Sequence, residues 1–152
     1  MLELDCTQYT DVPLGVSVED AHGFILRRER AQTMVPGASI DRRIVAGPDL
    51  RTGEVVVAMT NVPHYVEWHS PSGYEWGYGG SGPADLALNI VEYILRHIGF
   101  EGQQWAEARR GGCFSKAVFL HQEFKWLFVA TLPRSGGFVF YEVAEAWVKS
   151  RL

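Results

Sequence analysis

Cysteine is nearly absent from this chain. Its two cysteines, Cys6 and Cys113, lie far apart and in no metal-ligand spacing. That argues against a disulfide framework and against a thiolate metal centre, and it suits a reducing interior. Long apolar runs are also missing. The most apolar stretch, around Phe119 to Leu132, is broken by His121, Gln122, Glu123 and Lys125, well short of the roughly 20 apolar residues that span a bilayer. The start, Met1-Leu2-Glu3-Leu4-Asp5, has neither the basic nor the apolar region of a secretory signal. A cytoplasmic, soluble protein without a membrane contact is therefore expected. Basic runs do not exceed the pairs Arg27-Arg28, Arg42-Arg43 and Arg109-Arg110, and the formal charge is −4. Nucleic acid is marked down as a partner, because a binder of phosphate backbones usually carries a basic stripe.

What is present is an ordinary globular composition. Hydrophobic residues make up 47% and charged residues 21% of 152, enough to bury a core in a single domain spanning 1–152. Residues 34–80 read as β-rich and residues 83–152 as mostly helical, whereas 1–33 carry little decisive signal. Within that first portion, Phe24-Ile25-Leu26 fits a strand, or a helix from Val18 toward Ala31; strand is the expectation. Arg43–Ala46 and Glu54–Met59 flank a turn-rich segment and read as a hairpin. A second hairpin is expected over Tyr65–Gly79, turning at Ser70-Pro71-Ser72-Gly73. Its register sets Val66, Trp68, Tyr74, Trp76 and Tyr78 on one face. Tyr65, Glu67, His69 and Glu75 fall on the other.

Three helices follow. The first starts with Gly82 as cap and Pro83 at the first helical position, carries Asp85 in its first turn and ends at Gly99. The second is capped by Ser115, stops before Pro133, and buries a stripe of Ala117, Leu120, Phe124, Leu127 and Phe128. The third runs from about Phe140 to Lys149 and buries Val143, Ala144 and Trp147. The expected class is α+β: antiparallel β-hairpins in the N-terminal half packed against about three C-terminal helices.

Two groups of residues invite a function. Gly77-Tyr78-Gly79-Gly80-Ser81-Gly82 spells G-x-G-x-x-G and runs into a helix. A dinucleotide fold needs buried parallel strands on both sides of that helix, and the flanking segments do not read that way. No kinase set or Walker lysine accompanies it. The reading left is a cradle of N–H groups at Gly79, Gly80, Ser81 and Gly82 for a phosphate, with Trp76 or Tyr78 stacking on a base. The commoner use of such a corner is conformational, with the aromatics filling the core. The other group is Glu67, His69 and Glu75, which the expected register brings to one face as a conceivable acid–base or metal cluster. A solvated sheet face is the commoner outcome. No metal and no cofactor is implied.

The stretch His69-Ser70-Pro71-Ser72-Gly73-Tyr74-Glu75-Trp76-Gly77-Tyr78-Gly79-Gly80-Ser81-Gly82-Pro83-Ala84-Asp85-Leu86-Ala87-Leu88-Asn89-Ile90 resembles the signature of a domain-of-unknown-function family. That family is spread through bacterial genomes, plasmids and phages. His121-Gln122-Glu123-Phe124-Lys125-Trp126 and Ala130-Thr131-Leu132-Pro133 are similar to its second block, and the region of Trp147 to its end. Gly136-Gly137-Phe138 departs from the glycine–tryptophan pair of the pattern, and the N-terminal portion is longer. The resemblance implies no activity and no catalytic residue. It implies a small accessory protein of a mobile element. The leading expectation is a non-enzymatic binding protein that acts on a host or defence-system protein. The alternatives are a binder of a nucleotide or phosphorylated small molecule at the glycine-rich loop, and an enzyme using Glu67, His69 and Glu75.

Overall fold

A computed structural model of the chain describes residues 11–31, 55–70, 73–102 and 104–152. The fold is α+β, as expected. A four-stranded sheet is built from β1 (Asp11–Pro13), β2 (Gly23–Ala31), β3 (Val55–Thr60) and β7 (Gly136–Phe140), in the order β1-β3-β2-β7. Strand β2 pairs antiparallel with both β3 and β7, while β1 runs parallel to β3. A smaller sheet has the order β4-β6-β5, from β4 (Val66–Glu67), β5 (Trp105–Glu107) and β6 (Arg110–Phe114). The strand assignment of Phe24-Ile25-Leu26 holds, and Val55–Thr60 is a strand. The Arg43–Ala46 half of the first hairpin lies outside the described residues.

Among the described residues the α-helices are α1 (Val18–Ala21), α2 (Ser81–His97), α3 (Ser115–Phe124) and α4 (Tyr141–Ser150). Helix α2 is the centre of the molecule. Every residue from Gly82 to Glu92 is buried, as are Ile94 and Leu95. A helix covered on all sides is a core helix rather than a surface one. It begins at Ser81 with Gly80 as the cap, two residues before the position expected. Pro83 is still tolerated there, because first-turn N–H groups have no intrahelical acceptor.

Among the described residues the strand pairing expected over 65–79 is absent, and its turn residues Pro71 and Ser72 lie outside them. Val66 and Glu67 pair instead with Gly111 and Arg110 of β6, a long-range partner that the local alternation cannot signal. Only glycine fits at Gly111. Its φ is +71°, and an added Cβ would lie 2.0 Å from the Tyr65 carbonyl oxygen. Consequently Trp68 is exposed and Glu75 is buried, the reverse of the expected faces.

Beyond α3 the chain makes a π-helical turn, Lys125–Val129, closed by the Ala130 N–H donating to the Lys125 carbonyl at 2.8 Å. The wider turn shifts the helical phase. Lys125 is covered and Leu127, expected in the buried stripe, is 51% exposed. In α4, Ala144 is buried as expected and Trp147 partly so, but Val143 faces solvent and Val148 is buried in its place. Among the described residues, no helix is long and apolar enough to cross a membrane.

Candidate functional site

The site is positioned by polar residues on α2. Asp85 is fully buried, and its carboxylate accepts from the backbone N–H groups of Trp68 (3.3 Å), His69 (2.8 Å) and Ser70 (2.8 Å). One turn later, Asn89 Oδ1 accepts from the N–H groups of Tyr65 (2.7 Å) and Val66 (3.1 Å). Its Nδ2 donates to the carbonyls of Val66 (2.9 Å) and Asp85 (2.8 Å). Next, Glu92 accepts from the Phe114 N–H at 2.9 Å and from Arg96 Nε at 2.6 Å. Residues 85, 89 and 92 share one helix face and tie the helix to 65–70 and to β6. Burial raises the Asp85 carboxyl above its ordinary value, and the three N–H donors and His69 only partly oppose that.

Because α2 starts at Ser81, Asp85 lies beyond its first turn, and the N-terminus has neither a side-chain cap nor an acidic residue in that turn. The glycine-rich loop wraps that end. Trp76 is fully buried, donates from Nε1 to the Arg134 carbonyl at 3.1 Å, and lies under the Arg28 guanidinium. It belongs to the core and presents no face to a ligand. Tyr78 is half-buried, with the Arg134 guanidinium 5.0 Å from its ring centre. Gly79 and Ser81 are exposed, Gly80 is half-buried, and Gly82 is buried against the Glu75 side chain.

The residue that sequence reading missed here is Trp126. An added Cβ on Gly79 would fall 2.1 Å from the Trp126 ring, so the glycine is the seat on which this indole rests. From below, the Lys125 ammonium sits 4.5 Å from the indole centre and donates to the Gly79 carbonyl at 3.3 Å. Trp126 is nevertheless 58% exposed. Burial lowers the Lys125 ammonium from its ordinary value, and among the described residues no carboxylate pairs with it. Trp126 lies within the π turn, and such turns often mark functional sites.

Glu67, His69 and Glu75 are engaged separately. Glu75 is buried in an ion pair with Arg28, and Glu67 lies 3.8 Å from Arg110. His69 stacks on His121, with their Nε2 atoms 3.0 Å apart. His121 Nδ1 lies 2.5 Å from the Val118 carbonyl, an acceptor, so Nδ1 carries the proton. Nε2 of His121 then accepts, and His69 donates from its own Nε2. Burial lowers His121 to about 4, with His69 and Lys125 acting in the same direction, so the His121 ring is neutral at pH 7. No group of three or more metal-ligating side chains occurs among the described residues.

No curated protein and no solved structure matches the chain. Residues 45–107, a span that takes in β3, β4, the glycine-rich loop and α2, match a family model described as a family of unknown function (DUF6166), which bears out the resemblance to a family of that kind.

Proposed function

We propose that this is a small non-enzymatic binding protein that docks another protein on the surface around Trp126 and the Gly79–Gly82 loop. The observation that carries the reading is the seating of Trp126: more than half exposed, yet fixed between Gly79 and Lys125. A large aromatic held rigidly in water is what a protein interface uses as an anchor, because little rotamer freedom is lost when it is covered. Trp68 is also exposed, on the segment that Asp85 holds. In the mobile-element setting that the resemblance implies, the partner is a host or defence-system protein.

A second reading is supported by the uncapped N-terminus of α2. An anion there would meet the helix end, the Lys125 ammonium and the Ser81 side chain, and a nucleotide base would stack on Trp126 rather than on the buried Trp76. A phosphorylated small molecule fits that chemistry. The enzyme reading has the least support, because Glu67, His69 and Glu75 have different partners.

Native mass spectrometry of protein purified from host lysate separates the two, with a thermal-shift screen of nucleotides and inorganic phosphate beside it. A stoichiometric protein complex lost on Trp126→Ala supports docking. A bound small mass, or a melting shift on phosphate addition that Gly80→Val removes, moves the reading to the anion. Neither result would leave the surface without a role and overturn both.

A further inference from the structure

A second site lies on the far end of α2, away from the glycine-rich loop. A cavity of about 440 Å³ is lined by Val18, Glu19, His22, Tyr93, His97, Phe140, Tyr141, Glu142 and Val143. Its size falls within the usual range for small-molecule pockets. The walls are rings. Tyr93 and His97, one turn apart on α2, stack with centres 5.7 Å apart, and Tyr141 meets both edge-on, at 6.1 Å and 5.1 Å. Phe24 supports Tyr93 from the core in an edge contact of 5.6 Å. The rings are therefore braced against one another, and they come from both α2 and the β7–α4 corner.

The charge around it has one sign. Glu19 and Glu142 line the cavity, and among the described residues no lysine or arginine does. Glu145, on the next turn of α4, also acts on Tyr141 and is itself paired with Lys149 at 2.8 Å. Burial first, and then Glu19, raises the Tyr93 hydroxyl; burial, and then Glu145, does the same for Tyr141. His97 Nδ1 lies 3.7 Å from Glu19 Oε1. His22 adds a further sign of use. It ends α1 at φ +58°, the left-handed conformation, and is the one non-glycine residue with positive φ among those described. Glycine would take that conformation at lower cost, yet an imidazole that lines the cavity stands there.

We propose that this aromatic, carboxylate-rimmed cavity binds an alkylammonium group, its charge facing the rings of Tyr93 and Tyr141 and neutralised by Glu19 and Glu142. Aromatic faces attract cations through their quadrupole, and a desolvated cage strengthens that attraction. A phosphate would meet the two carboxylates here and, among the described residues, no lysine or arginine. The same chemistry can arrive as a free quaternary amine or as the lysine side chain of a partner protein.

Isothermal titration calorimetry on the full chain at pH 8 tests it. The probes are choline, its neutral isostere 3,3-dimethylbutan-1-ol, and Nα-acetyl-lysine methylamide. Choline or the lysine derivative is expected to bind at least about ten-fold more tightly than the neutral alcohol, the scale of a partly desolvated cation–π contact. The tighter of the two cations identifies the source. Glu19→Gln with Glu142→Gln, both on the rim, should weaken the cation several-fold and leave the alcohol unchanged without altering the melting temperature. Tyr93→Leu should abolish binding. Equal affinity for choline and the alcohol, no heat from either cation at millimolar concentration, or full cation affinity in the double glutamine variant would each overturn the proposal.

Discussion

Replacing Asn89 by alanine should destabilise this protein more than any surface change. Asn89 is fully buried and uses its whole hydrogen-bonding capacity: two N–H groups donate to Oδ1, and Nδ2 donates to two carbonyls. A net value of ~1 kcal/mol per bond, with more for a buried amide left unpaired, gives about 3–5 kcal/mol for Asn89→Ala. For a chain of this size each kcal/mol moves the midpoint by roughly 2–4 °C, so Tm should fall by about 6–20 °C. Asn89→Asp is the sharper probe, since it keeps the shape. It sets an acceptor against the Val66 and Asp85 carbonyls and buries a charge beside them, so at pH 7 it should be at least as damaging as alanine. Part of that loss should return toward pH 4, where a protonated carboxyl can donate again. Urea denaturation of the three proteins at both pH values measures this. A loss under about 1 kcal/mol for Asn89→Ala, on the same scale of bond energies, would refute the tying role given to α2.

Three further outcomes are expected. His121 is lowered from 6.5 to about 4, so the neutral ring contributes stability that is present above pH 6.5 and lost as pH falls through 4. The shift corresponds to about 3 kcal/mol, and denaturation curves at pH 7.5 and pH 4 should show a steeper acid loss in the wild type than in His121→Gln. Burial pushes the Cys113 thiol up to about 12, and the residue is fully covered. Peptide mapping after iodoacetamide treatment at pH 8 should find Cys113 unmodified in the native protein and alkylated in urea. Gly111→Ala requires a left-handed backbone at ~1–2 kcal/mol, to which the contact with the Tyr65 carbonyl adds; a melting curve should show a loss larger than that of Gly99→Ala, where an added Cβ meets nothing.

Helix α2 was legible because glycine, proline and apolar spacing agree over its length, and Gly99 ends it with positive φ. The partner of Val66–Glu67 was not, since a two-residue strand has no pattern of its own and the register of Val66 is set 45 residues away, at Gly111. Asp85, Asn89 and Glu92 did leave a trace: three polar residues on one face of an otherwise apolar helix mean buried hydrogen bonds, and reading them so would have freed the helix N-terminus from Asp85. Trp76 was placed with the apolar set correctly, and its burial removes it as a stacking platform. The exposure of Trp126 and Leu127 depends on the π turn, for which the residues Lys125–Val129 offer no propensity signal. The edge-on cage of Tyr93, His97 and Tyr141 joins α2 to the β7–α4 corner, a contact between residues far apart in the chain.

The most direct test of the account is a comparison of tagged wild type with Trp126→Ala and Phe119→Ala in host lysate. Phe119 is also highly exposed, at 79%, but is not seated on the glycine loop. Co-purifying protein is identified, then purified and titrated against all three forms. The account predicts one defined partner that binds wild type and Phe119→Ala alike and loses at least about ten-fold in affinity to Trp126→Ala, the scale of an aromatic hot spot. A partner that binds Trp126→Ala as tightly as wild type would contradict it.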